Sequence, residues 1–254
     1  MLKTTVNGFE LAYERRGHGT PLVLIHGYPL DHTIWNPVVP LLENDFDLIL
    51  PDLRGFGESG TPTPHYSTDD FAADLISLLD QLGIQKAAIV GHSMGGYVAL
   101  AFARCHPSRL RGLGLVASQA LPDAPEKKEG RYQEAEHILA HGVRDVAEGM
   151  SIKLTADPVL QTKLKELMLR QRPEGLAGAL RAMAERQDSM LLLTEFDFPV
   201  VLVHGLADKL IPVERARDVR DMVKRGYLTE IEAAGHMPMM EAPQVTAEAL
   251  KTLL

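Results

Sequence analysis

The sequence predicts an α/β fold: a mostly parallel sheet flanked by helices, with a helical cap inserted into it. Three observations carry this. Short apolar runs at residues 21–26, 46–50, 87–90, 112–116, 199–204 and 227–231 have the length and content of strands buried on both faces. Helical segments separate most of them, which makes the strands parallel. Between residues 117 and 199, by contrast, helical segments follow one another with no strand among them. The expected organisation is a core in two parts, residues 1–118 and 196–254, with residues 119–195 as the cap.

Composition agrees with a globular enzyme. The chain has 254 residues, 45% hydrophobic and 24% charged, enough for one α/β domain with an insertion. A net charge of −8 argues against nucleic acid or an anionic membrane as a partner. The single cysteine, Cys105, cannot form an internal disulfide and reads as a buried apolar residue. The first residues carry charge throughout and show no signal-peptide core, and no run reaches membrane-spanning length, so a cytoplasmic protein is expected.

Taken in order, residues 4–6 and 9–14 are two short strands turning at Asn7-Gly8. Residues 21–26 form a buried strand that leaves into His26-Gly27-Tyr28-Pro29. Residues 35–43 have helical spacing, and the strand at 46–50 runs into a glycine-punctuated loop from Pro51 to Ser59. Phe71, Leu75, Leu78, Leu79 and Leu82 mark an amphipathic helix over 68–82, stopped by Gly83. Residues 122–130 are polar and turn-rich. Four cap helices are expected near 132–141, 143–154, 158–170 and 175–186. A helix near 213–224 lies between the last two strands, and residues 245–254 close the chain.

The chemistry centres on residues 87–100. Strand, Gly91-His92-Ser93-Met94-Gly95 and helix occur in the order of a nucleophile elbow. A serine in so sharp a turn needs small neighbours, and the helix behind it favours negative charge at its N-terminus. Asp208 follows the strand at 199–204, and His236 follows the strand at 227–231. The order nucleophile, acid, histidine, each past a strand end, places Ser93, Asp208 and His236 on one edge of a parallel sheet. Serine needs an imidazole to take its proton, and the imidazole needs a carboxylate to fix its tautomer. Asp123 is the rival acid. The ten histidines include no metal-binding spacing, so neither a metal nor another cofactor is expected.

These residues resemble the α/β-hydrolase superfamily, in its small cofactor-free esterase and lactonase branch. His26-Gly27-Tyr28-Pro29, Asp52-x-Arg54-Gly55-x-Gly57-x-Ser59, the elbow, Gly205-x-x-Asp208 and Gly235-His236 carry the resemblance. It implies an oxyanion hole from the backbone amides of Tyr28 and Met94, and a cis bond before Pro29. The amide of Met94 also sits at a helix start, where a free N–H is expected. Asp52 and Arg54 are expected to brace their loop. The reading is a serine hydrolase of carboxylic esters acting on a small-molecule substrate through an acyl-enzyme. Lactone hydrolysis (enol-lactone or acyl-homoserine lactone) and perhydrolysis are alternatives on the same residues, and a hydrolase-fold ligand receptor is the alternative of another class. His26, Met150, Met168, Met183 and Met237 are the pocket candidates, although helical spacing favours core filling for the cap methionines, and the two readings balance for Met237. The sequence leaves the oligomeric state open.

Overall fold

The computed structural model describes residues 1–61 and 65–254. Eight strands form one sheet: β1 (Leu2–Val6), β2 (Phe9–Gly17), β3 (Thr20–Ile25), β4 (Phe46–Pro51), β5 (Ala87–His92), β6 (Leu110–Val116), β7 (Val200–Gly205) and β8 (Gly226–Ile231). Their order across the sheet is β1-β2-β4-β3-β5-β6-β7-β8. β2 is antiparallel to β1 and β4, and every other pairing is parallel. The β1–β2 hairpin turns at Asn7 and Gly8, both at positive φ, as a two-residue turn matching strand twist requires.

The strands alternate between two cores because side chains change face at each residue. In β3, Leu22 and Leu24 join one core, and Val23 and Ile25 join the other; all four are fully buried. The helices in chain order are α1 (Val39–Leu42), α2 (Thr68–Gln81), α3 (Met94–Cys105), α4 (Pro125–His141), α5 (Arg144–Leu154), α6 (Pro158–Leu169), α7 (Pro173–Ala184), α8 (Met190–Leu193), α9 (Glu214–Met222), α10 (Pro238–Glu241) and α11 (Pro243–Leu250). Residues of α2, α3 and α9 cover one face of the sheet, and residues of α1 and α11 cover the other. α4 to α8 all lie between β6 and β7.

Some expectations change in detail. The helix anticipated over 35–43 is a 3₁₀ turn, His32–Trp35, followed by the four-residue α1. Pro37 and Pro40 lack the N–H groups a continuous helix would use there. α4 starts at Pro125, seven residues before the expected position, with proline in the first turn. Its polar sequence concealed it: only Ala135 and Ile138 are buried in seventeen residues. Cys105, expected inside, is exposed at the last turn of α3. Among the described residues, no helix is long and apolar enough to cross a membrane.

The loop after β4 is braced as expected. Asp52 accepts hydrogen bonds from His32 N–H (3.0 Å), His32 Nδ1–H (2.7 Å) and Glu58 N–H (2.9 Å). Arg54 is buried against Asp74 of α2 through two contacts, one of 2.6 Å, and its guanidinium lies over the rings of Phe9 and Tyr66. Truncating one partner of such a pair leaves the other charge buried and unpaired. Asp74→Ala is therefore expected to lower unfolding stability by about 3–5 kcal/mol in denaturant titration, and a loss below about 1 kcal/mol would refute the account.

Candidate active site

The strained turn between β5 and α3 is the floor of the site. Ser93 has φ +50° and ψ −113°, outside the regions an L-residue prefers. Its N–H donates to Val116 O (2.9 Å), and its carbonyl accepts from Ser118 Oγ (2.8 Å), so β6 and the loop after it hold the turn. A Cβ on Gly91 would overlap the Gly95 backbone, and one on Gly95 would lie 2.6 Å from the carbonyls of Ile25 and His26. Glycine at both positions lets α3 press its first turn against β3 and β5.

Asp208 and His236 meet below the strand ends. Asp208 Oδ2 accepts from His236 Nδ1–H at 2.7 Å, while Oδ1 accepts from the N–H groups of Leu210 (2.8 Å) and Ile211 (3.1 Å). A second histidine, His204, lies 3.4 Å from Oδ2 and donates Nε2–H to Ile211 O (2.8 Å). Burial alone would raise the Asp208 carboxyl; the contacts with His204 and His236 and the Leu210 N–H overcome it and hold the group well below the carboxylate range. With Nδ1–H committed to Asp208, the other nitrogen of His236 is left as a base. Ser93 and His236 line one cavity of about 360 Å³.

The backbone around His236 is tied at several points. Its own N–H donates to Leu154 O at the end of α5 (2.9 Å). Glu241 Oε2 accepts from Gly235 N–H (2.9 Å) and Met237 N–H (3.1 Å), and Oε1 accepts from Thr155 Oγ1 (2.6 Å). His92 donates Nε2–H to His236 O (2.8 Å), with the two rings 4.9 Å apart. The local pattern of Glu241 and His204 does not separate them from ordinary helix or strand residues, and His92, although inside the elbow motif, carries no sequence sign of its contact with His236.

The remaining expected site residues divide. Tyr28 lines the cavity, its bond to Pro29 is cis, and its buried hydroxyl has no hydrogen-bond partner among the described residues. Met94 is fully buried at the first position of α3. Among the described residues, neither backbone N–H has an acceptor, which leaves both amides free to receive negative charge. Met150 and Met183 line the cavity. His26, Met168 and Met237 do not. His26 is fully buried beneath the loops: Nδ1 contacts Gly27 O (3.1 Å), and Nε2 accepts from Leu53 N–H (3.0 Å). Met168 and Met237 are fully buried in the core on the α11 side of the sheet. Tyr97, Leu210 and Ile211 add apolar wall that the sequence did not single out, and α4 and α5 add Lys127, Arg131, Glu134 and Lys153.

Asp123 is engaged elsewhere. It pairs with Arg131, with Arg186 (2.9 Å) and with Lys127 (3.7 Å). Burial opposes its ionisation, but the two arginines pull the carboxyl down to about 2. Asp31, His32 and Asp52 bring ligand-type atoms within 4.8 Å of one another. Their oxygens are occupied by the loop contacts above and by Asp31 capping Thr33 N–H (3.0 Å).

The chain belongs to the alpha/beta hydrolase fold family, whose description matches residues 20–243. It is 34% identical, over 97% of its length, to the dihydrolipoyllysine-residue acetyltransferase component of the acetoin cleaving system of Pseudomonas putida, and spans 65% of that protein. A thermophilic esterase from Thermogutta terrifontis, solved with malate bound, is 38% identical with a TM-score of 0.94, covering 98% of this chain and 96% of its own. The enol-lactonase of Burkholderia xenovorans LB400 shares the fold at 23% identity and a TM-score of 0.90, with 99% of each chain covered.

Burial makes the site sensitive to acid. His92 is fully enclosed, and burial followed by the neighbouring His236 pushes its imidazole down to about 3. The unfolded chain protonates this residue near its ordinary value of 6.5, so the folded state binds fewer protons below that pH. Stability is therefore complete above pH 6.5 and falls as pH drops from 6.5 towards 3. The expected loss attributable to His92 between pH 7 and 4 is on the order of 3 kcal/mol. Unfolding free energies of the wild type and His92→Gln across that range test it; identical slopes for the two would contradict the assignment.

Proposed function

We propose that the protein hydrolyses carboxylic esters through an acyl-enzyme, with Ser93 as nucleophile, His236 as base and Asp208 as its orienting acid. The observation that carries the reading is the 2.7 Å contact of His236 Nδ1 with Asp208, with Ser93 and His236 facing one cavity. Its likeness to the Thermogutta esterase supports it. In this scheme His236 Nε2 takes the Ser93 proton as Oγ bonds to the ester carbonyl carbon. The oxyanion is received by the amides of Tyr28 and Met94, each such donor being worth roughly a hundred- to a thousand-fold in rate. The imidazolium returns its proton to the departing alcohol as the C–O bond breaks, and water then repeats the sequence to release the acid. A lactone enters the same steps with its alcohol still attached to the acyl group.

Ser93→Ala is expected to lower kcat by roughly a million-fold while the fold persists. Asp208→Asn is expected to lose about ten thousand-fold, because the amide favours the wrong tautomer, whereas Asp123→Asn retains the bulk of activity. Initial rates on short-chain p-nitrophenyl esters, with a lactone panel beside them, decide this. Equal rates for the two carboxylate variants would move the acid to Asp123. A wild type that binds these compounds without turnover would favour the receptor.

Residues 119–195 are assigned the role of a cap that selects substrate. Met150 and Met183 reach the cavity from α5 and α7, and Met168 packs in the core. Changing Met150 or Met183 to Ala is expected to reorder chain-length preference, since each methylene accepted or refused is worth about 1–3 kcal/mol. Met168→Ala is expected to lower stability by about 2–5 kcal/mol and leave the order of preference intact. Values of kcat/KM across an ester series test the contrast, and a uniform change in all three variants would remove the selective role.

A further inference from the structure

We propose that the ester or lactone carries a carboxylate remote from its scissile carbonyl, held by Arg131 and Lys153 at the roof of the cavity. The inference rests on the hydrolase reading and extends it to the class of substrate. α4 brings Lys127, Gly130, Arg131 and Glu134 into the cavity that Ser93 and His236 line, and α5 adds Lys153. The spacing is that of one helical face, and in α4 that face is charged where an alkyl-chain pocket would be apolar.

The charge balance of this roof is cationic in a chain of net charge −8. Among the lining residues Lys127, Arg131 and Lys153 stand against Glu134, and Asp123, off the lining, pairs with Arg131 and Lys127. Asp123 sits behind Arg131 and fixes it, and a further contact runs from Arg131 Nη1 to Met183 Sδ (3.4 Å). Lys153 has no hydrogen-bond or ion-pair partner among the described residues. Burial pushes the Glu134 carboxyl up against the pull of Arg131 and Lys153, which weakens the one negative group facing the cavity. An anionic group arriving here gains a preset guanidinium and a free ammonium, and a cleft of one sign concentrates such ligands. Below the roof, Met150, Met183, Leu210 and Ile211 accommodate a short apolar spacer between that carboxylate and the reacting carbonyl.

The test uses two ethyl esters of one length: monoethyl adipate and its ω-amide. The wild type is expected to favour the monoester over the amide by about tenfold in kcat/KM, with the ratio shrinking as salt is added. Lys153→Gln is expected to lower the ratio about threefold, and Lys153→Glu to abolish it. Lys86→Gln, remote from the cavity, serves as the control and leaves the ratio in place. A wild-type ratio at or below one, or a ratio indifferent to Lys153→Glu, overturns the proposal. Calorimetric binding of the monoester and the amide to Ser93→Ala separates this inference from the reading beneath it. Tighter, Lys153-dependent binding of the monoester without wild-type turnover would leave the anion site standing and remove the hydrolase. Equal binding of the two would remove the anion site whatever the turnover.

Discussion

The close approach of three backbone segments at Gly91 and Gly95 is the constraint on which the rest of the structure depends. β3 and β5 are hydrogen-bonded neighbours, and α3 must begin within a residue of the end of β5. A methyl group at either glycine would collide with main chain, which cannot swing aside as a flexible side chain does. That approach is what forces Ser93 to positive φ. It also lays the first turn of α3 against the carbonyls of Ile25 and His26, beside the loop that carries Tyr28. The strain at one residue is sustained by the packing of a whole sheet on both faces.

Four buried histidines show how environment divides one chemistry into separate tasks. His26 accepts a backbone N–H with one nitrogen and contacts a carbonyl with the other, so it joins two loops as a neutral strut. His92 and His204 each give one N–H to a carbonyl, and each keeps a buried nitrogen with no partner among the described residues. For His26 and His92 burial is the leading influence, and it pushes both imidazoles towards the neutral form. His236 alone combines a carboxylate on one nitrogen with access to the cavity from its ring. A proton acceptor beside Ser93 is useful only if its neighbours do not compete for the proton. Burial, by keeping His92 neutral, removes that competitor.

The sequence revealed what has a one-dimensional signature. Buried strands appear as apolar runs, and the turn at Ser93 demands small residues at fixed offsets, so the fold and the positions of Ser93, Asp208 and His236 could be read directly. α4 could not, because a helix with almost no buried face lacks the periodicity that marks one. The methionines failed for the opposite reason: Met150, Met168 and Met183 all sit at helical spacing, but only the direction of each helix decides which one meets the cavity. Glu241 was illegible because its function lies in three contacts, to Gly235, Met237 and Thr155, and the last of these comes from a segment 86 residues away.

These contacts bear on how the helices between β6 and β7 relate to the chemistry. Arg172 donates to the carbonyls of Gly57 (3.1 Å) and Ser59, and Tyr66 Oη donates to Gly175 O (2.6 Å), which seats the start of α7 on the braced loop after β4. At the other side, the end of α5 holds the backbone of His236 through Leu154, while Thr155 shares Glu241 with it. The insertion is therefore fastened at both edges of the cavity, once to the loop of Asp52 and once to the loop of His236. A lid free to swing would have to break hydrogen bonds at the histidine each time it opened. Fastened in this way, the helices between β6 and β7 set the lining of the cavity and the position of His236 together. A change in those helices reaches His236 through Leu154 and Glu241.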